Sequence, residues 1–308
     1  MSRNGTDHTR NIEKEAPLNF KQQDCRVIRD PASEWGELIL PEQQGLFSGG
    51  TRIALFGSTT AGHLVLETLL RFNSHHPGKL DIRAVATDDT RDPKARIGIK
   101  KRIWKYYTPK EQKELMDLMV EASCRNGIPC YTGGVKNEYF KRLLRLWDPE
   151  VILMCCFGQK VDPFIFNYPV YGMYNFHPSD LASNIGAGAK PFESTIQEGS
   201  TTSHMILHKV SEIIDAGPIV GISPPVNIAM KNGKYPSSFL VLQEKIPSVC
   251  GWMVHGLLTA LLERIANGNP GPVDKIDYEP LIPDYIKTEL LKPVYNDPMK
   301  VKKLPFPD

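Results

Sequence analysis

Residues 151–156 read Val-Ile-Leu-Met-Cys-Cys, six apolar positions in a row. A strand with one face in water alternates polar and apolar side chains. A strand without a polar position is buried on both faces, as in the middle of a parallel sheet. Parallel neighbours need crossovers of a dozen or more residues, usually helical. The run therefore predicts a helix-covered open sheet, and it asks for strands and helices to alternate around it.

They do. Arg52–Gly57 reads as a short buried strand, followed by a turn at Ser58–Gly62 and a helical spacing over Leu64–Phe72. Leu80–Thr87 is a second strand. Pro109–Asn126 is helical and stops at Asn126-Gly127. Ile128–Tyr131 is a short strand, and Lys136–Trp147 a helix with Asn137 placed to cap it. Met173–Phe176 follows as a strand, then the alternating Ser203–Val210. Val249–Ala266 is one apolar helix stopped by Asn267-Gly268-Asn269-Pro270. The pattern gives an α/β fold with a Rossmann-like open, mostly parallel sheet. It divides the chain into an N-terminal extension (1–50), the α/β domain (51–228), and a C-terminal helix with a Pro-rich tail packed on that domain (229–308). The apolar circumference of 249–266 suits core packing, with a homodimer contact as the alternative.

Composition narrows the function classes. The 308 residues are 41% hydrophobic and 23% charged, with a net charge of +2. No strong field points to nucleic acid or an anionic membrane. The apolar runs 151–157 and 249–260 fall short of the roughly 20 residues that span a bilayer. The polar N-terminus lacks a secretory pattern. The six Cys show no zinc spacing and no CxxC, and Cys155-Cys156 sit in an apolar run as reduced core thiols. A reducing cytoplasm is expected, and no metal.

The turn Gly57-Ser58-Thr59-Thr60-Ala61-Gly62 matches neither phosphate-binding fingerprint, so a tight strand-to-helix turn is the preferred reading. Lys94–Tyr107 interleaves six cations with Trp104, Tyr106 and Tyr107. It reads as a solvated loop or as a contact for phosphates or rings. The centre carries more. In open α/β sheets, ligands bind at the carboxyl ends of strands. Phe157–Lys160 leaves the apolar strand at that end, and Asn175 and His177, two apart, share a face at the end of the next strand. Asp215 stands between apolar residues in Ile213-Ile214-Asp215-Ala216-Gly217-Pro218. A buried carboxylate needs a partner, and a histidine is the obvious one.

In this order and at these distances the residues resemble the folate-dependent formyltransferase family, whose mark is Asn-x-His-Pro-Ser on a central strand and a later Asp-x-Gly. Here these are Asn175, His177-Pro178-Ser179 and Asp215-Ala216-Gly217, and "DPEVILMCCFGQKVDPFIFNYPVYGMYNFHPS" resembles the family's central segment. The resemblance covers roughly residues 51–225. It implies N10-formyltetrahydrofolate as co-substrate, held by Phe157, Gly158, Gln159, Lys160, Val161, Ile213 and Ile214, chiefly through backbone groups. It also implies an acceptor site at Ser179, Asp180, Asn184, Gly186, Lys190 and His208. "DLASNIGAGAKP" departs from the family where Asp180 and Ala182 replace Leu and Pro, next to the expected acceptor.

The chemistry is acyl transfer to an amine. An oxyanion develops and needs donors where it appears. Asn175 is expected as oxyanion donor, His177 as general acid and base, and Asp215 as the group that fixes and biases the imidazole. The expected acceptor is a small-molecule amine, with an amino-sugar nucleotide preferred. Nucleic acid and membrane are not expected as partners. The alternatives are a hydrolase that passes the formyl group to water, formylation of another biosynthetic amine, a dinucleotide-binding oxidoreductase and, less favoured, a methionyl-tRNA formyltransferase or a non-catalytic metabolite-binding relative.

Overall fold

The computed structural model describes residues 18–307 apart from 21, 22, 34, 44–48, 89–107 and 189. The basic stretch Lys94–Tyr107 and the segment Met1–Pro17 lie outside the described residues. In chain order the elements are β1 (Leu18–Phe20), β2 (Gln23–Arg29), β3 (Glu37–Pro41), β4 (Thr51–Gly57), α1 (Thr59–His75), β5 (Leu80–Ala86), α2 (Pro109–Met116), α3 (Leu118–Arg125), β6 (Cys130–Thr132), α4 (Glu138–Trp147) and β7 (Val151–Cys155). There follow α5 (Pro163–Phe166), β8 (Met173–His177), α6 (Pro191–Gln197), β9 (Thr202–Ser203), β10 (Ile206–Lys209), β11 (Ile219–Ile222), β12 (Val226–Asn227), α7 (Phe239–Lys245), α8 (Cys250–Ala266) and α9 (Asp284–Leu290).

The main sheet has the order β1-β2-β3-β6-β5-β4-β7-β8-β10-β11. Its centre, β6 to β8, is parallel, and antiparallel strands flank it on both sides. β7 lies inside that centre with all five residues buried, as its unbroken apolar run requires. Alternate residues feed two cores on opposite faces. Ile53, Leu55, Val151, Leu153 and Cys155 pack with α1 and α8. Ala54, Phe56, Ile152 and Met154 pack with Phe140, Leu144 and Trp147 of α4. Asn137 caps α4 by accepting from Phe140 N at 2.7 Å.

Three expectations are corrected. Residues 18–41 do not stand apart. β2 pairs with β3, and β3 with β6, so they continue the sheet. Cys25 and Val27 enter the α1-side core. Buried Asp30 fastens this ribbon, accepting from Tyr131 Oη at 2.6 Å and Asn137 Nδ2 at 2.8 Å. Next, 109–126 is two helices, α2 and α3, broken at Asp117. Finally, 203–210 is interrupted: β9 pairs with β12 and β10 with β8 and β11, while His204 Nδ1 meets Ser223 O at 2.8 Å.

The helical run at the C-terminal end is also longer than 249–266. Phe239–Ala266 reaches the length and mean hydropathy (1.3) of a membrane span, with 61% of that window buried. It packs on α1, and the tail closes over it: Tyr278 Oη donates to Met253 O at 2.7 Å and Trp252 Nε1 to Pro305 O at 2.9 Å.

The turn at 57–62 brings its two glycines together, since a Cβ on Gly62 would stand 2.7 Å from the carbonyl carbon of Gly57. Beside it, the buried Asp88 carboxylate accepts a hydrogen bond from the Ser58 hydroxyl, and its other oxygen accepts from Gly158 N at 2.8 Å. A fixed carboxylate thus occupies the turn and ties it to the loop after β7.

Candidate active site

The sequence places Asn175 and His177 on one face of β8 by the two-residue repeat of a strand, together with Met173 of the α4-side core. The antiparallel register of β10 sets His208 directly opposite Asn175. A strand register thus brings a second histidine beside the first two residues. Asp215 arrives from the turn between β10 and β11 with φ +55°, held in the left-handed region that Asp tolerates better than most residues.

The four side chains form one buried polar cluster. His208 Nδ1–H donates to Lys209 O at 2.9 Å, and a carbonyl can only accept. In the neutral ring this leaves Nε2 as an acceptor, filled by Asn175 Nδ2 at 3.0 Å. Asn175 Nδ2 also faces Asp215 Oδ1 at 3.3 Å, and His208 Nε2 stands 3.5 Å from that oxygen. His177 Nε2–H donates to Gly186 O at 2.8 Å. Its Nδ1 is therefore the free ring nitrogen, 3.6 Å from Asp215 Oδ2. Gly188 N–H donates to that same Oδ2 at 2.7 Å.

Burial pushes the His177 imidazole below its usual range, and the Asp215 charge and the Gly186 carbonyl only partly offset this. For Asp215, burial disfavours the charge. The contact with His208, the field of His177 and the Gly188 N–H outweigh it and hold the carboxyl below the ordinary range. The resting pair is a neutral imidazole with its Nδ1 lone pair turned to a carboxylate.

The cluster opens into a cavity of about 320 Å³. Phe157, Gly158, Gln159, Lys160, Val161, Ile214, Lys190 and His208 line it together with Asn175, His177 and Asp215. Gln159 lines it while both ends of its amide are engaged, Nε2 with Gly133 O at 2.9 Å and Oε1 with Val135 N at 3.1 Å. Other expected residues stand elsewhere. Ile213 is 71% exposed on the turn and outside the lining. Ser179 is buried beneath Gly186, with no hydrogen-bond partner for its hydroxyl. Asp180 caps the short helical turn 181–183 by accepting from Ser183 N at 3.3 Å, and Asn184 ends that turn with φ +60°. Gly186 acts through its carbonyl on His177. The loop thus meets the site by backbone rather than by side chain. Sequence reasoning missed Gly188 N–H and the wall formed by Cys156, Phe192, Glu193, Phe239, Leu240 and Gln243. An apolar residue at helical spacing carries no local mark that separates a cavity wall from core.

No protein-family model matches the chain. Among curated proteins it resembles methionyl-tRNA formyltransferase of Rickettsia canadensis (strain McKiel), 31% identical over 101 residues, 32% of this chain and 33% of that one. It also resembles the enzyme of that name from Rickettsia bellii (strain RML369-C), 33% identical over 94 residues and 30% of each chain. The chain spans about a third of the length of the curated relatives it matches. Solved structures similar to it include glycinamide ribonucleotide transformylase 1 from Symbiobacterium toebii, with TM-score 0.49, 15% identity, and coverage of 71% of this chain and 89% of that one. Another is a formyltetrahydrofolate deformylase from Pseudomonas syringae pv. tomato, with TM-score 0.40, 20% identity, and coverage of 62% and 54%. Over about a third of its length, the chain is thus similar in sequence to formyltransferases.

Proposed function

We propose that this chain is a formyltransferase that carries the formyl group of N10-formyltetrahydrofolate to a primary amine of a small molecule. The observation that carries the reading is the geometry of one atom. His177, which lines the cavity, makes no hydrogen bond at Nδ1, and that nitrogen faces the Asp215 carboxylate at 3.6 Å, while Nε2 is committed to Gly186 O.

The amine nitrogen attacks the formyl carbon, and a charge develops on the formyl oxygen. His177 Nδ1 takes the proton the amine must lose, directly or through one water. Asp215 stabilises the imidazolium so formed. Collapse breaks the bond from the carbon to N10, and Nδ1–H returns the proton to N10. The product is a formamide plus tetrahydrofolate, with no net proton. Asn175 offers the oxyanion its second N–H, which now makes the longer contact to Asp215, while its first stays on His208. His208 thereby orients the Asn175 amide. Phe157–Val161 and Ile214 hold the folate, and residues 51–228 carry the catalytic machinery. The six cysteines are free thiols, in keeping with a reducing cytoplasm.

The test is incubation of the full chain with N10-formyltetrahydrofolate and a panel of amines, followed by mass spectrometry. The expected result is a mass gain of one formyl group on an amine and stoichiometric tetrahydrofolate. Formate released at the same rate with and without amines would instead establish hydrolysis.

A further inference from the structure

The cavity is built on both faces of one sheet edge. Met154, Phe157, Val161 and Val210 of its lining belong to the α4-side core. Cys156, Phe192 and Phe239 belong to the α1-side core. The polar cluster sits between them, at the end of β8. There are thus two arms, and a transfer between two molecules needs two. The first holds the folate in the reading above, and the present inference rests on that reading in giving the second arm to the acceptor.

The second arm has its own chemistry. The rings of Phe192 and Phe239 lie 6.3 Å apart at 35°, a tilted aromatic pair. Pro191 and Leu240 continue the apolar wall. Two groups in it are polar. Gln243, 6% exposed, donates its amide nitrogen to Cys156 Sγ at 3.1 Å, which leaves its carbonyl oxygen to accept. Glu193 adds a carboxylate. The wall is held rigidly, since Thr60 Oγ1 at the start of α1 donates to Glu244 Oε1 of α7 at 2.7 Å, and Ser238 caps α7 at Leu240 N. An aromatic surface with two acceptor groups favours an apolar body that carries N–H donors or positive charge. It disfavours a phosphate, which would meet a carboxylate and a carbonyl oxygen across desolvated rings. Lys190, exposed and part of the same lining, is the cation that an anionic acceptor would use instead.

We propose that the acceptor is a primary amine on an aromatic or branched apolar body, seated on Phe192 and Phe239, rather than the phosphorylated amine that the sequence alone suggests. The experiment uses the full chain and two probes, 2-phenylethylamine and glucosamine 6-phosphate, each titrated calorimetrically without folate and then assayed with N10-formyltetrahydrofolate. The aromatic amine is expected to bind at least about tenfold more tightly and, if the chain transfers formyl, to react with a correspondingly larger kcat/KM. Phe239→Ala is expected to weaken 2-phenylethylamine about tenfold, to leave tetrahydrofolate affinity within about twofold, and to raise KM with little change in kcat. Phe239→Tyr is expected to restore binding. Preference for the phosphorylated amine, no binding of the aromatic amine, or an equal loss of tetrahydrofolate affinity in Phe239→Ala would overturn the assignment. Because amine binding is read without folate, it stands or falls separately from formyl transfer. Folate binding without any formyl product would overturn the proposed reaction and leave the amine site in place.

Discussion

Asn175 and His208 face one another across the β8–β10 ladder, with Asn175 Nδ2 3.0 Å from His208 Nε2. The contact is fixed by backbone, because Lys209 O claims the other ring nitrogen. His208 is thus a positioning residue for the amide. His208→Gln is expected to lower kcat about tenfold or more while KM for the folate holds within a few-fold, since only the orientation of the Asn175 donor is lost. His208→Leu removes the acceptor altogether and should be the worse variant. Steady-state kinetics of the pair would check this, and equal kcat in both would reject it.

His177 and Asp215 should behave as a unit. His177→Asn and Asp215→Asn are each expected to lower kcat by about 10²–10⁴, with unchanged circular dichroism. The double variant should be little slower than the slower single one. Additive losses would separate the two roles.

The pH dependence has a definite sign. Burial holds His177 below the ordinary imidazole value, so the proposed base is unprotonated through neutrality. The acid limb of kcat/KM should lie below pH 6.5, the unperturbed value for His. The Asp215 charge raises the His177 pKa, so any residual activity of Asp215→Asn should show its acid limb displaced to still lower pH. For stability, both groups bind protons more readily when unfolded. The contribution of His177 is complete above its unfolded value and fades as pH falls below it. That of Asp215 follows at lower pH, below the usual carboxylate value of 3.8. Denaturant midpoints against pH would show a decline on the acid side whose carboxylate part, below pH 3.8, is lost in Asp215→Asn, while the His177 part remains.

The loop over His177 depends on one glycine more than on its neighbour. Gly186 has φ +77°, and a Cβ there would stand 2.6 Å from Ser179 Cβ. Gly188 has φ +83° with open space around it. Gly186→Ala is expected to cost about 1–3 kcal/mol and to pull its carbonyl off His177, with activity lost. Gly188→Ala carries the backbone strain alone, about 1 kcal/mol, and should retain most activity. Chemical denaturation and turnover of the two variants would test the order.

Asp30→Ala should destabilise the whole sheet. It removes the Asn137 Nδ2 acceptor and the shorter of two acceptors of Tyr131 Oη, which keeps only Gly134 O at 3.1 Å, at a cost of about 1–3 kcal/mol. A lowered urea midpoint with unchanged slope would mark the ribbon β1–β3 as part of one cooperative unit, and a separate early transition would contradict it.

The parts legible in the sequence were those with a local period. Val151–Cys155 announces a buried strand because no polar residue interrupts it, and Asn175 and His177 share a face because strands repeat every two residues. Asp215 was conspicuous as a lone carboxylate among apolar neighbours. What stayed hidden was set by distant pairing. β2 mixes Arg26 and Arg29 with Cys25 and Val27, a pattern that acquires meaning only once β3 pairs with it and β6 offers its edge to β3. In 179–188 the positive φ values of Asn184, Gly186 and Gly188 shape a loop that meets His177 and Asp215 through the carbonyl of Gly186 and the amide of Gly188. A list of side chains there could not name the working groups. Phe192 and Phe239 are 47 positions apart and look like any core residues until α6 and α7 meet.

The cavity lined from both cores has a kinetic consequence. Two molecules held by different walls can be bound together, so neither has to leave before the other arrives. In the proposed reaction His177 passes only a proton, and no formyl group is bonded to the protein. Initial rates plotted against one substrate at several fixed levels of the other should give intersecting lines, the mark of a ternary complex.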